Sequence, residues 1–170
     1  MNFGSSYHAL NVVRKNMFYI EPSSEDICRA LDAWKWLPIE LKQPILVTAF
    51  GDIFLSATDG IWFLDTLEGS LNRVCDTREE LSQILRTEDG GNHYLFAGFV
   101  ERAQREGMLL KENQCYDFKV NPVVGGKIEF ANIEPRDFVV AVNMAGQLHE
   151  QTRNLPDGTR IEGFTINSES

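Results

Sequence analysis

A chain of 170 residues with 43% hydrophobic and 11% aromatic residues is long enough for one globular domain with its own core. Its formal net charge is −9 and its pI is near 4.8. Because an acidic surface repels phosphate backbones, direct nucleic-acid binding is disfavoured and a basic partner protein is favoured. Net negative charge also serves simply to keep a cytosolic protein soluble, and both interpretations stay open.

Cysteine usage and the N-terminal sequence predict a cytoplasmic protein. The three cysteines, Cys28, Cys75 and Cys115, lie far apart, and such an odd, sparse set fits a reducing compartment better than a disulfide framework. Residues 1–15 lack the basic and then apolar segments of a signal peptide. No apolar run approaches the roughly 20 residues that span a bilayer, so we expect no membrane contact.

Two elements are predicted ahead of the central sheet. Residues 1–22 carry apolar side chains without a dominant period, so we expect a short strand or docked arm that ends at Pro22. Ser23 or Ser24 can cap a first helix, which Pro38 would end because proline lacks the amide that a helix needs. The apolar stripe of this helix consists of Ile27, Ala30, Leu31 and Trp34.

The stretch PILVTAFGDIFLSATDGIWFLDT, residues 44–66, predicts the centre of the fold. Its three short apolar runs are separated by Gly51-Asp52 and Asp59-Gly60, and such pairs favour tight turns because glycine accepts a positive φ. This pattern predicts three antiparallel strands in a meander, and helices on both sides in sequence can cover the sheet. The predicted fold class is therefore α+β, with an antiparallel sheet built on a central meander and covered by several helices.

The segment after the meander predicts two helices. Residues 67–75 are either a connection or a fourth short strand. Thr77 begins a capping box for a short helix, which residues 89–91 (Asp-Gly-Gly) are expected to break. A longer helix is then expected over about residues 93–106, with Gly107 as a left-handed C-cap. The apolar faces are Leu81, Ile84 and Leu85 in the first helix and Phe96, Phe99, Val100 and Ala103 in the second.

Two strands and a final helix are predicted in the last third of the chain. Residues 116–120 alternate as in a half-buried strand, residues 121–126 follow as a loop, and residues 127–130 read as another short strand. Pro135 suits the first turn of a helix. The apolar positions of this helix are Phe138, Ala141, Val142, Ala145 and Leu148. The alternative for residues 137–142 is a strand, because Val-Val-Ala-Val is rich in β-branched residues; we favour the helix.

The residues predict neither a catalytic site nor a metal site. His8, His93 and His149 lack partners at metal-ligand spacing, and no CxxC, HExxH or calcium-loop pattern occurs. Cys115 with His149 and an acidic partner would make a small hydrolase, but nothing in the sequence joins these groups. We therefore expect no enzymatic activity and no cofactor.

Aromatic residues of the third meander strand predict a protein-binding surface. Strict alternation places Trp62 and Leu64 on one face of the sheet and Ile61 and Phe63 on the other. If helices cover only one face, large apolar side chains stay near the surface beside acidic turns, as in protein interfaces. The candidate contact residues are Asp52, Asp59, Trp62, Phe63, Asp65 and Glu68. In the alternative, both faces are covered and the aromatic residues belong to the core.

Two longer segments carry a resemblance to a known family. The string GDIFLSATDGIWFLDTLEGSL, residues 51–71, resembles the central meander of immunity proteins of bacterial type VI secretion systems. Residues 121–151, NPVVGGKIEFANIEPRDFVVAVNMAGQLHEQ, are similar to their C-terminal part. Trp36-Leu37-Pro38 resembles the end of the GAD-related region that the family often carries at its N-terminus. The positions of the C-terminal likeness are Pro122, Gly125, Gly126, Asn132, Ile133, Gly146, Gln147, Leu148, His149 and Gln151.

The resemblance implies a function that composition alone does not. Members of this family neutralise a cognate toxin, DNase effectors among them, and contribute no catalytic residues. We therefore expect an immunity protein that binds and blocks a toxin, and the charge of −9 suits a basic nuclease. The alternative is a general interaction or regulatory module of the SMI/KNR-like kind without a toxin partner. The expected organisation is a single domain, with a GAD-related-like part at residues 1–43, a core at 44–155 and a tail at 156–170.

Overall fold

The computed structural model describes residues 17–156, 158–159, 161 and 163–166. Predictions for residues 1–16, including His8 and most of the docked arm, and for the end of the tail lie outside this part. The described strands are β1 (Tyr19–Ile20), β2 (Gln43–Thr48), β3 (Ile53–Ala57), β4 (Gly60–Asp65), β5 (Ser70–Cys75), β6 (Gln114–Phe118) and β7 (Ile133–Asp137). The described α-helices are α1 (Ser24–Leu31), α2 (Arg78–Arg86), α3 (Glu88–Leu95), α4 (Ala97–Arg105) and α5 (Phe138–Thr152). Short 3₁₀ helices lie at Asp32–Trp34, Pro122–Val124 and Phe130–Asn132. None of the helices in the described part has the length and apolar character needed to cross a bilayer.

The main sheet consists of five strands in the order β1-β2-β3-β4-β5, each antiparallel to its neighbour. The predicted meander is confirmed as β2, β3 and β4, and the segment after it contributes β5 as a further strand. Ala57 pairs with Gly60 across a tight hairpin, and the φ of +127° at Gly60 is one that favours glycine. β1 is the short strand expected before Pro22, and it pairs Tyr19 with Thr48.

Helices cover both faces of the main sheet. On one face, Ile53 and Leu64 pack in a buried cluster with residues of α1 and α5. On the other face, Phe54, Ile61 and Phe63 pack with residues of α2 and α3. The predicted alternation along β4 is therefore confirmed, as is the α+β fold class.

A separate two-stranded sheet of β6 and β7 corrects one prediction. The strand expected over residues 127–130 is wrong, because the strand that pairs with β6 is β7, in which Pro135 lies opposite Tyr116. A proline is tolerated there because the outer side of an edge strand needs no ladder hydrogen bond. The Tyr116 amide also donates a 2.7 Å hydrogen bond to the Ala49 carbonyl oxygen, which joins the small sheet to the main one.

The last helix begins after the proline and not at it. Pro135 was expected in its first turn, but α5 starts at Phe138. Asp137 Oδ1 accepts a 3.0 Å hydrogen bond from the Val140 amide and so caps the helix. The helical interpretation of the Val-Val-Ala-Val run is confirmed, and the strand alternative is wrong.

The helix break expected at residues 89–91 lies earlier, at Thr87, which ends α2 and caps α3. The glycine pair expected to break a helix lies inside α3, which packs so closely on the end of α2 that a Cβ at Gly90 would lie 2.0 Å from the Ile84 carbonyl oxygen. A second break, which was not predicted, separates α3 from α4 at Phe96, whose φ is +48°. The continuous helix predicted over about residues 93–106 is therefore wrong. Gly107 has the predicted left-handed conformation, with φ at +76°.

α5 crosses the 3₁₀ helix that follows α1 at close range. Trp34 Nε1 donates a buried 2.9 Å hydrogen bond to the Val142 carbonyl oxygen. Gly146 permits this approach, because a Cβ there would lie 2.7 Å from the Ala33 carbonyl oxygen and 2.8 Å from Trp34 Nε1. The contact therefore requires a residue without a side chain at position 146.

Gly146→Ala is expected to destabilise the protein although alanine is the better helix former. The added methyl group meets backbone of the 3₁₀ helix, so the free energy of unfolding should fall by about 1–3 kcal/mol. Gly98→Ala in α4 is the matched control, since a Cβ there meets nothing within 4 Å and helix propensity should add up to about 1 kcal/mol. Chemical denaturation measures both effects. Equal stabilisation by the two substitutions would contradict the close crossing.

Candidate protein-binding surface

The structure divides the six predicted contact residues by accessibility. Asp52 and Phe63 are buried, Trp62 and Asp65 are half-buried, and Asp59 and Glu68 are exposed. The accessible residues lie near two turns, one between β3 and β4 and the other between β4 and β5. Because these turns flank the six residues of β4, roughly 20 Å separates them. The six residues therefore do not form one patch, and a binding role for the accessible ones stays a prediction.

The β3–β4 turn carries a compact surface cluster around Trp62. The indole Nε1 donates a 3.0 Å hydrogen bond to Asp59 Oδ1, and Lys42 Nζ lies 4.4 Å from the ring centroid. Arg73 Nε donates a 2.6 Å hydrogen bond to the Asp59 carbonyl oxygen. We call Lys42, Asp59, Trp62 and Arg73 the Trp62 cluster. Its members hold one another in place while part of the indole stays accessible.

The Trp62 cluster combines fixed charges with accessible apolar area. The hydrogen bond from Trp62 is the main cause that lowers the pKa of Asp59, and the charges of Lys42 and Arg73 act in the same direction. The Asp59 carboxylate is therefore ionised at neutral pH. Leu41, the residue before Lys42, is 91% exposed. An aromatic anchor with ordered neighbours and a charged rim is typical of the positions that dominate binding energy in protein interfaces.

Two side chains hold the β4–β5 turn from the interior. Asp52 Oδ1 accepts hydrogen bonds from the Thr66 amide at 2.8 Å and from the Thr66 hydroxyl at 2.7 Å. On the other side, His149 Nε2 lies 3.1 Å from the Thr66 carbonyl oxygen. Gly69 leaves room for the imidazole, because a Cβ there would lie 2.3 Å from His149 Nδ1. Asp52 thus anchors the turn and does not line its surface.

Burial shifts the pKa values of both anchoring groups toward their uncharged forms. Burial raises the pKa of Asp52 to about 7; the charge of Asp65 adds to the shift, and hydrogen bonds from Thr66 and Thr48 oppose it. Burial lowers the pKa of His149, although its hydrogen bond to Thr66 opposes this. His149 is therefore neutral at pH 7 and donates from Nε2 to the Thr66 carbonyl, while Asp52 titrates in the neutral range.

The thiol and imidazole of the hydrolase alternative do not form a nucleophile and its base. Cys115 is fully buried, and burial raises the pKa of its thiol well above the ordinary value, so the reactive thiolate is absent at neutral pH. Its Sγ packs under Gly51, whereas His149 is bound to Thr66. Within the described ranges, no group of three or more His, Cys, Asp or Glu side chains converges to hold a metal ion.

Part of the chain matches the model of a known protein family. Residues 76–149, under half of the chain, match the family described as T6SS immunity protein Tdi1, C-terminal. This match supports a type VI secretion immunity family. The matched segment contains α2 to α4, the small sheet and most of α5, and it begins after the Trp62 cluster.

The fold itself has a solved counterpart. The chain is similar to the crystal structure of Atu4351 from Agrobacterium tumefaciens, with a TM-score of 0.52 and 18% sequence identity over 83% of this chain and 75% of that chain. A likeness at this identity concerns the fold alone. None of the curated proteins matches the chain.

Asp52→Asn is expected to change how stability depends on pH. A carboxyl group whose pKa is raised in the folded state lowers the free energy of unfolding as pH rises from its unfolded value toward about 7. Between pH 5 and pH 8, the free energy of unfolding of the wild type should therefore fall by about 2–3 kcal/mol relative to that of the variant. The lowered pKa of His149 acts in the opposite direction, because the free energy of unfolding then falls as pH drops below the ordinary histidine value, but His149 is present in both proteins and its effect cancels in the difference.

Urea denaturation of both proteins at pH 5 and pH 8 measures this difference. Glu112→Gln, which removes an exposed carboxylate, is the control and should show no such pH dependence. A constant difference between wild type and Asp52→Asn across this range would mean that the buried carboxyl group is ionised at both pH values.

Proposed function

We propose that this protein is an immunity protein that binds a type VI secretion toxin and neutralises it. The match of residues 76–149 to the Tdi1 C-terminal family carries the proposal. The geometry agrees with a binding role, because the Trp62 cluster offers ordered, accessible side chains while the one candidate nucleophile, Cys115, is buried. Neutralisation in the cytoplasm then needs no chemistry, since covering the toxin's active site or substrate channel is sufficient.

A nuclease is the class of toxin that the charge of this chain favours. A nuclease holds the phosphate backbone with basic side chains, and this chain carries a formal net charge of −9. Exposed carboxylates such as Asp59 and Glu68 would occupy positions where phosphates otherwise lie. Attraction between the two surfaces would also raise the rate of association. The proposal therefore extends to a basic nuclease, contacted through Asp59, Trp62, Asp65 and Glu68.

The β3–β4 turn supplies the proposed anchor of this contact. The indole of Trp62 is already oriented by Asp59 and Lys42, so binding costs little side-chain entropy. Leu41 adds an aliphatic side chain that is 91% exposed. Burying both against a partner removes apolar area from water, which is the main source of affinity in such contacts.

Co-expression with the product of the neighbouring toxin gene tests the proposed function. Cells that produce the toxin should survive when they also produce this chain, and their chromosomal DNA should stay intact if the toxin is a nuclease. In titrations of the purified pair, raising the NaCl concentration should weaken binding, mainly through slower association. Failure to rescue the cells would overturn the neutralising role. Rescue with an affinity that does not respond to salt would remove the electrostatic part alone.

Substitutions in and beside the Trp62 cluster test the proposed contact. Trp62→Ala should weaken binding of the toxin at least about tenfold, because truncating a central aromatic anchor costs about 2 kcal/mol or more. Leu41→Ser should also weaken binding and leave the melting temperature unchanged, since this side chain is exposed. Leu109→Ser, at a position that is 58% exposed and outside the cluster, is the control. Wild-type affinity in both test variants, measured by calorimetry, would exclude the cluster from the interface.

A further inference from the structure

The connection between β6 and β7 is far longer than the pairing of these strands requires. Antiparallel strands are commonly joined by two to five residues, whereas residues 119–132 separate β6 from β7. We call these residues the β6–β7 loop. Ordered loops of this length in a compact domain usually serve binding or catalysis.

One asparagine closes the base of the β6–β7 loop. Asn132 Oδ1 accepts a 3.0 Å hydrogen bond from the Val120 amide, and Asn132 Nδ2 donates to the carbonyl oxygens of Val120 and Lys127, both at 2.8 Å. Lys119 Nζ donates a further 2.8 Å hydrogen bond to the Ala131 carbonyl oxygen. Because a single amide group binds both carbonyls, the chain at Val120 and the chain at Lys127 are held side by side.

Glycine and buried aromatic contacts keep the interior of the loop tight. A Cβ at Gly126 would lie 1.7 Å from the Val120 carbonyl oxygen, so the two chain segments are in backbone contact there. Asn121 Oδ1 accepts a 2.9 Å hydrogen bond from the Val123 amide and caps the first 3₁₀ turn. At the other end, Phe130 is buried in the core, and the guanidinium carbon of Arg102 lies 4.2 Å from its ring centroid. The loop is therefore an ordered part of the fold.

This ordered loop directs aliphatic side chains into solvent. Val120 is 51% exposed and Ile128 is 52% exposed, and neither belongs to a buried cluster. Lys119, Lys127 and Glu129 flank them and give this part of the chain one net positive charge. A loop that is already ordered loses little entropy when a partner binds it, and each covered aliphatic side chain contributes favourable apolar burial.

We infer that the β6–β7 loop is a contact surface for the toxin and inserts Val120 and Ile128 into an apolar cleft of that protein. The one net positive charge beside these side chains disfavours the basic partner surface that the acidic turns would meet, whereas the exposed aliphatic groups favour an apolar one. Both residues lie within 76–149, the segment that matches the immunity family, whereas the Trp62 cluster lies outside it. The inference rests on the proposed function and adds a contact that no electrostatic argument supplies.

The double variant Val120→Ser/Ile128→Ser tests the inference. Its affinity for a catalytically inactive form of the neighbouring toxin, measured by calorimetry, should fall at least tenfold, while its melting temperature stays near the wild-type value because both side chains are half-exposed. Leu109→Ser/Leu155→Ser removes two aliphatic side chains of similar exposure, 58% and 44%, outside the loop. This matched control should bind within twofold of the wild type. Asn132→Ala should weaken binding as well, because a loop without the Asn132 hydrogen bonds must be ordered again when it binds the toxin.

The outcomes separate this inference from the proposed function. If the wild type binds and the double variant binds within twofold of it, the loop contact is wrong and the immunity function stands. If the wild type does not bind the toxin, the proposed function is overturned and the loop contact with it. If the double variant changes only self-association in sedimentation, the loop contacts a second copy of this chain, which also overturns the inference.

Discussion

The position of α5 is the constraint on which the rest of the structure depends. The helix packs on one face of the main sheet, and hydrophobic burial there would by itself tolerate sliding and rotation because it is not directional. Two polar contacts remove that freedom. Trp34 donates to the Val142 carbonyl, and His149 donates to the Thr66 carbonyl, about 10 Å further along the helix axis. Shifting the helix would leave buried polar groups unpaired, at about 1–3 kcal/mol each.

The proposed binding surfaces rest on parts of the fold that are ordered without a partner. In the Trp62 cluster, Asp59 of the β3–β4 hairpin and Lys42 before β2 orient the indole, and Arg73 of β5 in turn holds the Asp59 carbonyl oxygen. The β6–β7 loop is closed by Asn132 and anchored by buried Phe130. Binding of a toxin would therefore cost little conformational entropy in this chain. A protein that must neutralise a toxin quickly benefits from such surfaces, since association then needs no slow conformational change.

The acidic side chains have different roles in the structure. Asp52 is buried, its pKa is near 7, and it stabilises a turn. Asp65 Oδ1 is occupied by the amides of Leu67 and Glu68 at 3.0 and 2.8 Å. Steering of the proposed basic partner would therefore fall to exposed carboxylates such as Glu68. The net charge is the reason for proposing a basic partner, but it does not identify which carboxylates are available to that partner.

The sequence by itself determined the elements whose signals are local. Strand alternation in β4, the meander, the cap of α1 at Ser23 and the left-handed Gly107 all depend on neighbouring residues, and all were predicted. Tertiary structure alone decided what depends on contacts between distant segments. Whether Phe63 or Trp62 reaches solvent depended on helices covering both faces, since the two side chains are chemically alike. Asp52 and His149 both contact Thr66, although Asp52 is 14 residues and His149 is 83 residues away from it in the sequence. No local sequence pattern carries that information.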